Sequence, residues 1–137
     1  MLFRSAAAGA DLARFFSNAS HITLLPVTTL EEMAIEETVE MCARLETEFA
    51  LKAQAVLMNL VSPLATASAS EIDALRHTDD PALRFAVERG VVEQERAGEL
   101  QKRIPAGQIA VERVREWSSD LDLLNRIGQS LDGIPTA

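Results

Sequence analysis

A strand-like segment passes directly into an amphipathic helix in the stretch VTTLEEMAIEETVEM, from Val27 to Met41. The residues that lead into it, 21–28, form a near-continuous apolar run, which is typical of a buried parallel strand. Thr29 and Glu32 have the spacing of a capping box, and they predict where the helix begins. One strand-to-helix step of this kind is a unit of an α/β sheet, and such sheets bind ligands in the loop at the step.

Two further apolar runs of strand length follow, QAVLMNLV at 54–61 and QIAVERV at 108–114. Helical patterns separate them: one over 2–17, one after Thr29, a short one capped by Ser70 and Asp73, a long one from Pro81 to about Arg103, and a last one from Ser118. Strands that alternate with helices favour a parallel sheet with right-handed crossovers. We therefore predict an α/β fold in which three parallel strands, at about 21–28, 54–61 and 108–114, are flanked by helices.

Apolar side chains at spacings of three and four residues predict which face of each helix is buried. The predicted buried faces are Ile35, Val39, Cys42, Leu45 and Phe49 in the helix after the first strand, Leu83, Val87, Val91 and Leu100 in the long helix, and Leu121, Leu124, Ile127 and Leu131 in the last. Gly90 and Gly98 are expected to weaken the long helix, each by about 1 kcal/mol relative to alanine.

Length and composition limit the kind of protein. A chain of 137 residues with 47% apolar residues forms one domain or part of a larger one. The net charge of −8 opposes binding to phosphate backbones, so nucleic acid is not an expected partner. The single cysteine rules out a disulfide within the chain and favours a cytoplasmic location. No apolar run reaches the ~20 residues of a membrane span, so no membrane insertion is expected.

The chain lacks the motifs by which nucleotide-binding proteins hold phosphates. None of its six glycines is followed by lysine, so there is no GxxxxGK[ST] loop, and GxGxxG is also absent. His21 and His77 do not have the spacing of metal ligands, and Cys42 lies on an apolar helix face, where it is expected to act as a small hydrophobic residue. The sequence therefore predicts no metal and no catalytic residue in these 137 residues.

Asn59 is the strongest candidate for a binding residue. It lies near the end of a predicted interior strand, where its carboxamide must find a hydrogen-bond partner. One interpretation is that it pairs with the donor and acceptor edge of adenine; the other is that it caps the backbone of a neighbouring loop. Trp117, just after the last strand, either stacks on a ring or contributes to the core.

Four segments together resemble the C-terminal part of the ArsA/GET-type ATPases, the arsenite-pump and tail-anchored-protein-targeting branch of the P-loop NTPases. VTTLEEMAIEETVEM is similar to the strand-to-helix junction of that family, and AVLMNLV is similar to its apolar strand that ends in asparagine. VVEQERAGELQKRI resembles its long helix, and IAVERVREW resembles its last strand and adenine loop. The resemblance covers nearly all of residues 20–132 in the family's order. It implies a three-layer P-loop-NTPase-like parallel sheet that is incomplete here, with only its C-terminal three strands in a single domain, 1–137.

The resemblance implies a cytoplasmic, ATP-hydrolysing homodimer that couples ATP to anion transport or protein targeting. Magnesium would accompany ATP in the full-length family protein, and a membrane-protein partner is compatible with this role. Asn59 matches the asparagine that reads adenine. The loop residues Val114, Arg115, Glu116 and Trp117 match the segment that packs over the base.

The departures from the family pattern matter as much as the matches. Leu30 occupies a position where many members have proline, and SPLATASASE lacks the CxxC of the eukaryotic targeting members. The phosphate loop, switch segments and catalytic aspartate would lie upstream of Met1, so neither ATP hydrolysis nor binding of ATP with magnesium is expected of this chain alone. The alternative is a stand-alone, non-catalytic α/β module that binds a protein partner through an exposed sheet edge. A third possibility, an unrelated α/β fold, predicts that the three strands are not adjacent and parallel.

Overall fold

Three parallel strands form the sheet of this protein. The computed structural model describes residues 22–116 and 118–132. Its strands are β1 (Val27–Thr28), β2 (Ala55–Val61) and β3 (Gly107–Glu112), which lie in the order β1-β2-β3. Both pairs, β1 with β2 and β2 with β3, are parallel. The prediction of an α/β fold with three parallel strands flanked by helices is therefore confirmed, and the expectation that the three strands are not adjacent and parallel is wrong.

Helices cover both faces of this sheet. In the described residues they are α1 (Glu32–Phe49), α2 (Ala69–Arg76), α3 (Pro81–Arg103) and α4 (Asp120–Leu131), with a 3₁₀ turn at Pro63–Ala65. None of these helices combines the length and the apolar character that a membrane span requires. The helix predicted over 2–17 and residue His21 lie outside the described residues.

The first strand is much shorter than the predicted 21–28. Only Val27 and Thr28 belong to the ladder, and a single isolated bridge joins Leu24 to Ala53. Pro26 lies between them and has no N–H to donate, although its carbonyl accepts the N–H of Leu57 at 2.8 Å. The predictions of 54–61 and 108–114 were closer: β2 begins one residue later and ends as predicted, and β3 begins one residue earlier and ends two residues earlier.

The caps of two helices were predicted wrongly, and one was predicted correctly. Thr29 does not cap α1, which begins after Glu31 with no side-chain cap. The capping box of α2 consists of Ser68 and Glu71 rather than Ser70 and Asp73. Asp80 caps α3 as predicted, since its Oδ1 accepts the N–H of Ala82 at 2.8 Å. In α2, Ser68 is preferred because its hydroxyl and backbone N–H both reach the Glu71 carboxylate.

The larger core lies between the sheet and the helices α1 and α3. Its buried residues are Leu30, Ile35, Cys42, Val56, Met58, Val61, Leu100 and Ile104. Phe49, predicted to be buried, is exposed instead. The 18 residues of α1 extend over ~27 Å and the seven of β2 over ~23 Å, so the last turn of α1 has no sheet to cover.

A smaller core lies on the opposite face, under α4. It consists of Ala55, Leu57, Ile109 and Val111, against which Ile127 and Leu131 of α4 pack. Leu121 and Leu124 were predicted to face inward but are 67% and 64% exposed. Only the C-terminal half of α4 contributes apolar side chains to this core, and this explains the error.

Gly90 has a packing role that its helix propensity conceals. A Cβ atom at position 90 would lie 2.6 Å from Cβ and 3.0 Å from the carbonyl carbon of Leu64, closer than real contacts allow. A Cβ atom at Gly98 would meet nothing within 4 Å. The absence of a side chain at position 90 therefore lets α3 approach the loop that follows β2.

Candidate functional site

The carboxyl end of the central strand is irregular. Asn59 pairs with Val111 and Val61 with Glu112, so Leu60 is the extra residue of a β-bulge. Leu60 has a φ of 59°, which is uncommon for a bulky residue, and its side chain is 44% exposed. Bulges and strained residues concentrate near binding sites, where they redirect side chains. This edge of the sheet is therefore the leading candidate for a binding site.

A buried carboxylate holds the loop after the bulge against α3. Glu93 is only 5% exposed. Its Oε2 accepts the N–H of Ser62 at 2.7 Å, and its Oε1 accepts the Nε–H of Arg89 at 2.8 Å. Gln94 adds a bond from Nε2 to the carbonyl of Ala67 at 2.7 Å. These bonds and the close approach at Gly90 give the edge a defined shape, which a preorganised site requires.

Asn59 lines a cavity of about 470 Å³, which we call the Asn59 cavity. The side chain is partly buried and makes no hydrogen bond to another described residue, whereas Gln94 and Gln108 donate to backbone carbonyls. Within the described residues, Asn59 does not cap a neighbouring loop, which was the alternative interpretation of this residue. Its carboxamide is thus available to a ligand.

Arginines and glutamates both surround the Asn59 cavity. Its charged wall residues are Glu31, Glu88, Arg89, Glu93, Arg96 and Arg113. Arg96 is held in place because its Nη1 donates to the carbonyl of Leu30 at 2.9 Å. Because charges of both signs line this cavity, it suits a neutral group that has hydrogen-bond donors and acceptors.

The loop after β3 lies beside a different cavity. Val114, Arg115 and Glu116 line a cavity of about 880 Å³ between this loop and α4, which we call the α4 cavity. Asn59 does not line it. The backbone N–H of Arg113 donates to the carbonyl of Val61 at 3.0 Å, which ties the loop to the end of β2. Trp117, the fourth predicted loop residue, lies outside the described residues.

A third cavity lies beside both the Asn59 cavity and the α4 cavity. We call it the Phe85 cavity; its volume is about 230 Å³, and Leu60, Phe85, Arg89, Arg113 and Arg115 are among its wall residues. It shares four of these, all but Arg115, with the Asn59 cavity, and Arg113 lines the α4 cavity as well. Of the predicted loop residues that the structure describes, Arg115 lines both the Phe85 cavity and the α4 cavity, whereas Val114 and Glu116 line the α4 cavity alone among these three cavities.

Sequence reasoning missed Arg89, Arg113 and Phe85. Arg89 and Phe85 lie on a helix with many charged residues, where a solvated face is the usual interpretation. The alternation in VERVREW was a usable signal, because it places Arg113 and Arg115 two residues apart and hence on the same side of an extended chain.

Outside the site, burial or local hydrogen bonds explain the shifted pKa values of titratable groups. Burial raises the pKa of the Cys42 thiol, so the thiolate needed by a nucleophile is disfavoured. A hydrogen bond from Arg103 lowers the pKa of Glu36, and the backbone N–H of Ser118 lowers the pKa of Asp122. Among residues 22–116 and 118–132, no three His, Cys, Asp or Glu residues are grouped so that they could hold a metal ion.

Comparison with known proteins adds no family to this description. No protein-family model and no curated protein matches the sequence.

Proposed function

We propose that this chain is the C-terminal, adenine-recognising portion of an ArsA-like ATPase with a P-loop-NTPase-like sheet. The complete ATPase would be a cytoplasmic homodimer that couples ATP to anion transport or protein targeting. The observation that carries the proposal is Asn59. Asn59 lines a cavity at the carboxyl end of the central parallel strand, and its side chain has no hydrogen-bond partner among the described residues.

The chemistry of the Asn59 cavity suits a purine base. A carboxamide donates to one atom of the adenine edge and accepts from the exocyclic amine. The exposed side chains of Leu60 and Phe85 offer apolar surface to a planar ring. The volume of about 470 Å³ lies within the range of small-molecule sites.

The described residues fit the base but not the metal of a magnesium nucleotide. No group of three carboxylates or histidines suited to a metal ion occurs in the part of the chain that the structure describes. The sequence also lacks a phosphate-binding loop. We therefore assign base recognition to this chain and derive no step of hydrolysis from it.

Replacing Asn59 by alanine is expected to weaken adenosine binding by about 1–3 kcal/mol, because the base loses a hydrogen-bond partner in a partly buried site. The dissociation constants for adenosine and guanosine, measured by NMR titration, provide the check. The ratio of the two constants should also move towards one. Adenine presents an amine that donates a hydrogen bond to the carboxamide oxygen of Asn59, whereas guanine presents an acceptor at the same position.

Asn125→Ala is the matched control for this variant, because Asn125 is exposed on α4 and lines none of the three cavities. It should bind adenosine as the unmodified protein does. If Asn59→Ala also retained the affinity and the preference for adenosine, Asn59 would not be the residue that reads the base.

The 137-residue protein is expected not to hydrolyse ATP. The sequence has no phosphate loop, and the described residues hold no metal-binding group of carboxylates. These are the two parts that position the phosphates and the magnesium ion in P-loop ATPases. Release of phosphate from ATP in the presence of magnesium is the measurement. Turnover that a single substitution within this chain abolishes would contradict the prediction.

The alternative function is a non-catalytic module that binds a protein partner through a sheet edge. The feature that favours it is the short described sheet, in which β1 and β3 are the outer strands. The adenosine titration separates the two functions, because a sheet-edge module has no reason to prefer adenosine or to depend on Asn59.

A further inference from the structure

The Phe85 cavity differs from its neighbour in the sign of its charges. Arg89, Arg113 and Arg115 line it, and no carboxylate does, whereas three glutamates line the Asn59 cavity. All the charged wall residues of the Phe85 cavity are therefore cations, in a protein with a net charge of −8. A concave site lined by one sign of charge favours a ligand of the opposite sign, here an anion.

Two of these guanidinium groups are not neutralised within the described chain. The ion pairs there use Arg44, Lys52, Arg76, Arg89, Arg103 and Arg126. Arg113 and Arg115 form no ion pair with any residue that the structure describes. Arg89 uses its Nε on Glu93, and a guanidinium carries further N–H donors on its terminal nitrogens.

We propose that the Phe85 cavity is an anion subsite, in which Arg113 and Arg115 bind a phosphate group of the nucleotide whose base lies against Asn59. This inference rests on the proposed function and extends it. It assigns to the chain itself a share of phosphate binding that the sequence predicted to lie wholly outside it.

The structure supports a single ligand that spans both cavities. Leu60, Phe85, Arg89 and Arg113 belong to the walls of both, so the two recesses are adjacent. The bulge at Leu60 places an exposed apolar side chain at this junction. Guanidinium groups bind phosphate oxygens through paired N–H donors and are less strongly hydrated than ammonium groups, so arginine suits this role.

The test compares AMP with adenosine, since the two differ only in the phosphate. The unmodified protein is expected to bind AMP about tenfold more tightly than adenosine, as hydrogen bonds to a charged group contribute at least this much. Arg113→Gln, which keeps hydrogen-bonding capacity but removes the charge, should reduce this ratio to near one. NMR titration measures both constants, and thermal unfolding followed by circular dichroism verifies that each variant is folded.

Arg44→Gln is the matched control, because the Arg44 side chain is 69% exposed on α1 and pairs with Glu48 away from these cavities. It should leave the ratio unchanged. Inorganic phosphate serves as a second probe. If phosphate alone bound as tightly as AMP, the subsite would be one for free anions, and its assignment to a nucleotide would be wrong.

The outcomes separate the two proposals. If Asn59→Ala weakens AMP and adenosine equally and Arg113→Gln brings the ratio of the two affinities to near one, both proposals are supported. If Arg113→Gln keeps that advantage, or the unmodified protein binds AMP no better than adenosine, the anion subsite is overturned. If Arg113→Gln removes the advantage but Asn59→Ala changes nothing, the subsite stands and adenine recognition by Asn59 fails.

Discussion

Replacing Leu100 by alanine is expected to lower the free energy of unfolding by about 2–5 kcal/mol, the largest effect that we predict. Leu100 is 0% exposed and belongs to the core cluster between the sheet and the helices α1 and α3. The truncation removes apolar contacts and leaves a cavity that rigid neighbours fill only partly. Urea denaturation followed by circular dichroism measures the difference.

Leu124→Ala makes the same chemical change on a helix surface, where the leucine is 64% exposed. It should alter the free energy of unfolding by no more than about 0.5 kcal/mol, because little apolar area is buried at this position. Equal losses for the two variants would mean that α3 does not pack its Leu100 side against the sheet.

Gly90→Ala is expected to lower the free energy of unfolding by about 2–3 kcal/mol. The added Cβ would lie 2.6 Å from Cβ of Leu64 and 3.0 Å from its carbonyl carbon. A backbone atom cannot turn aside as a side-chain tip can, so α3 and the loop after β2 must separate, at the upper end of what overpacking costs. Equilibrium unfolding in urea again provides the measurement.

Gly98→Ala is the control in the same helix and should have the opposite sign. The new methyl group would meet nothing within 4 Å, and alanine favours a helix by about 0.5–1 kcal/mol over glycine. If both substitutions raised the stability, the close approach of α3 to Leu64 would be wrong. The loop concerned leads from Asn59 into the walls of the cavities, so the same contact also determines the shape of the proposed site.

The regular parts of the fold were predictable from local patterns. The start of α3 followed from Asp80 and Pro81, because an acidic cap and a proline in the first turn act without tertiary help. The strands at 54–61 and 108–114 followed from apolar runs that could be satisfied only inside a sheet. The errors arose where more than one nearby residue could play the same local role. Both Ser68 and Ser70 could cap α2, and Ser68 is the residue that does so.

Helix faces were less predictable than helix positions. Periodicity identified Ile35, Cys42 and Leu100 as buried. It also selected Phe49 and Leu121, which are exposed because nothing packs over those turns in the described structure. The pattern specifies which residues share a face, but the length and position of the opposing layer decide how much of that face is covered.

The candidate site was likewise predictable from the sequence only in part. Asn59 was a candidate from sequence because a polar side chain within an apolar strand requires a partner, and the structure places Asn59 in the wall of a cavity. The grouping of Arg113 and Arg115 with Arg89 was not recognisable from sequence, since it depends on a bulge at Leu60 and on the distance between α3 and the end of β3.

The sequence by itself determined the order of elements, the parallel sheet and the position of Asn59 near a strand end, because these follow from hydrophobic period and turn chemistry within short segments. Only the tertiary structure decided which charges meet at that edge and that Gly90 must lack a side chain. Such contacts join residues about 25 positions apart or more, and no local pattern specifies them.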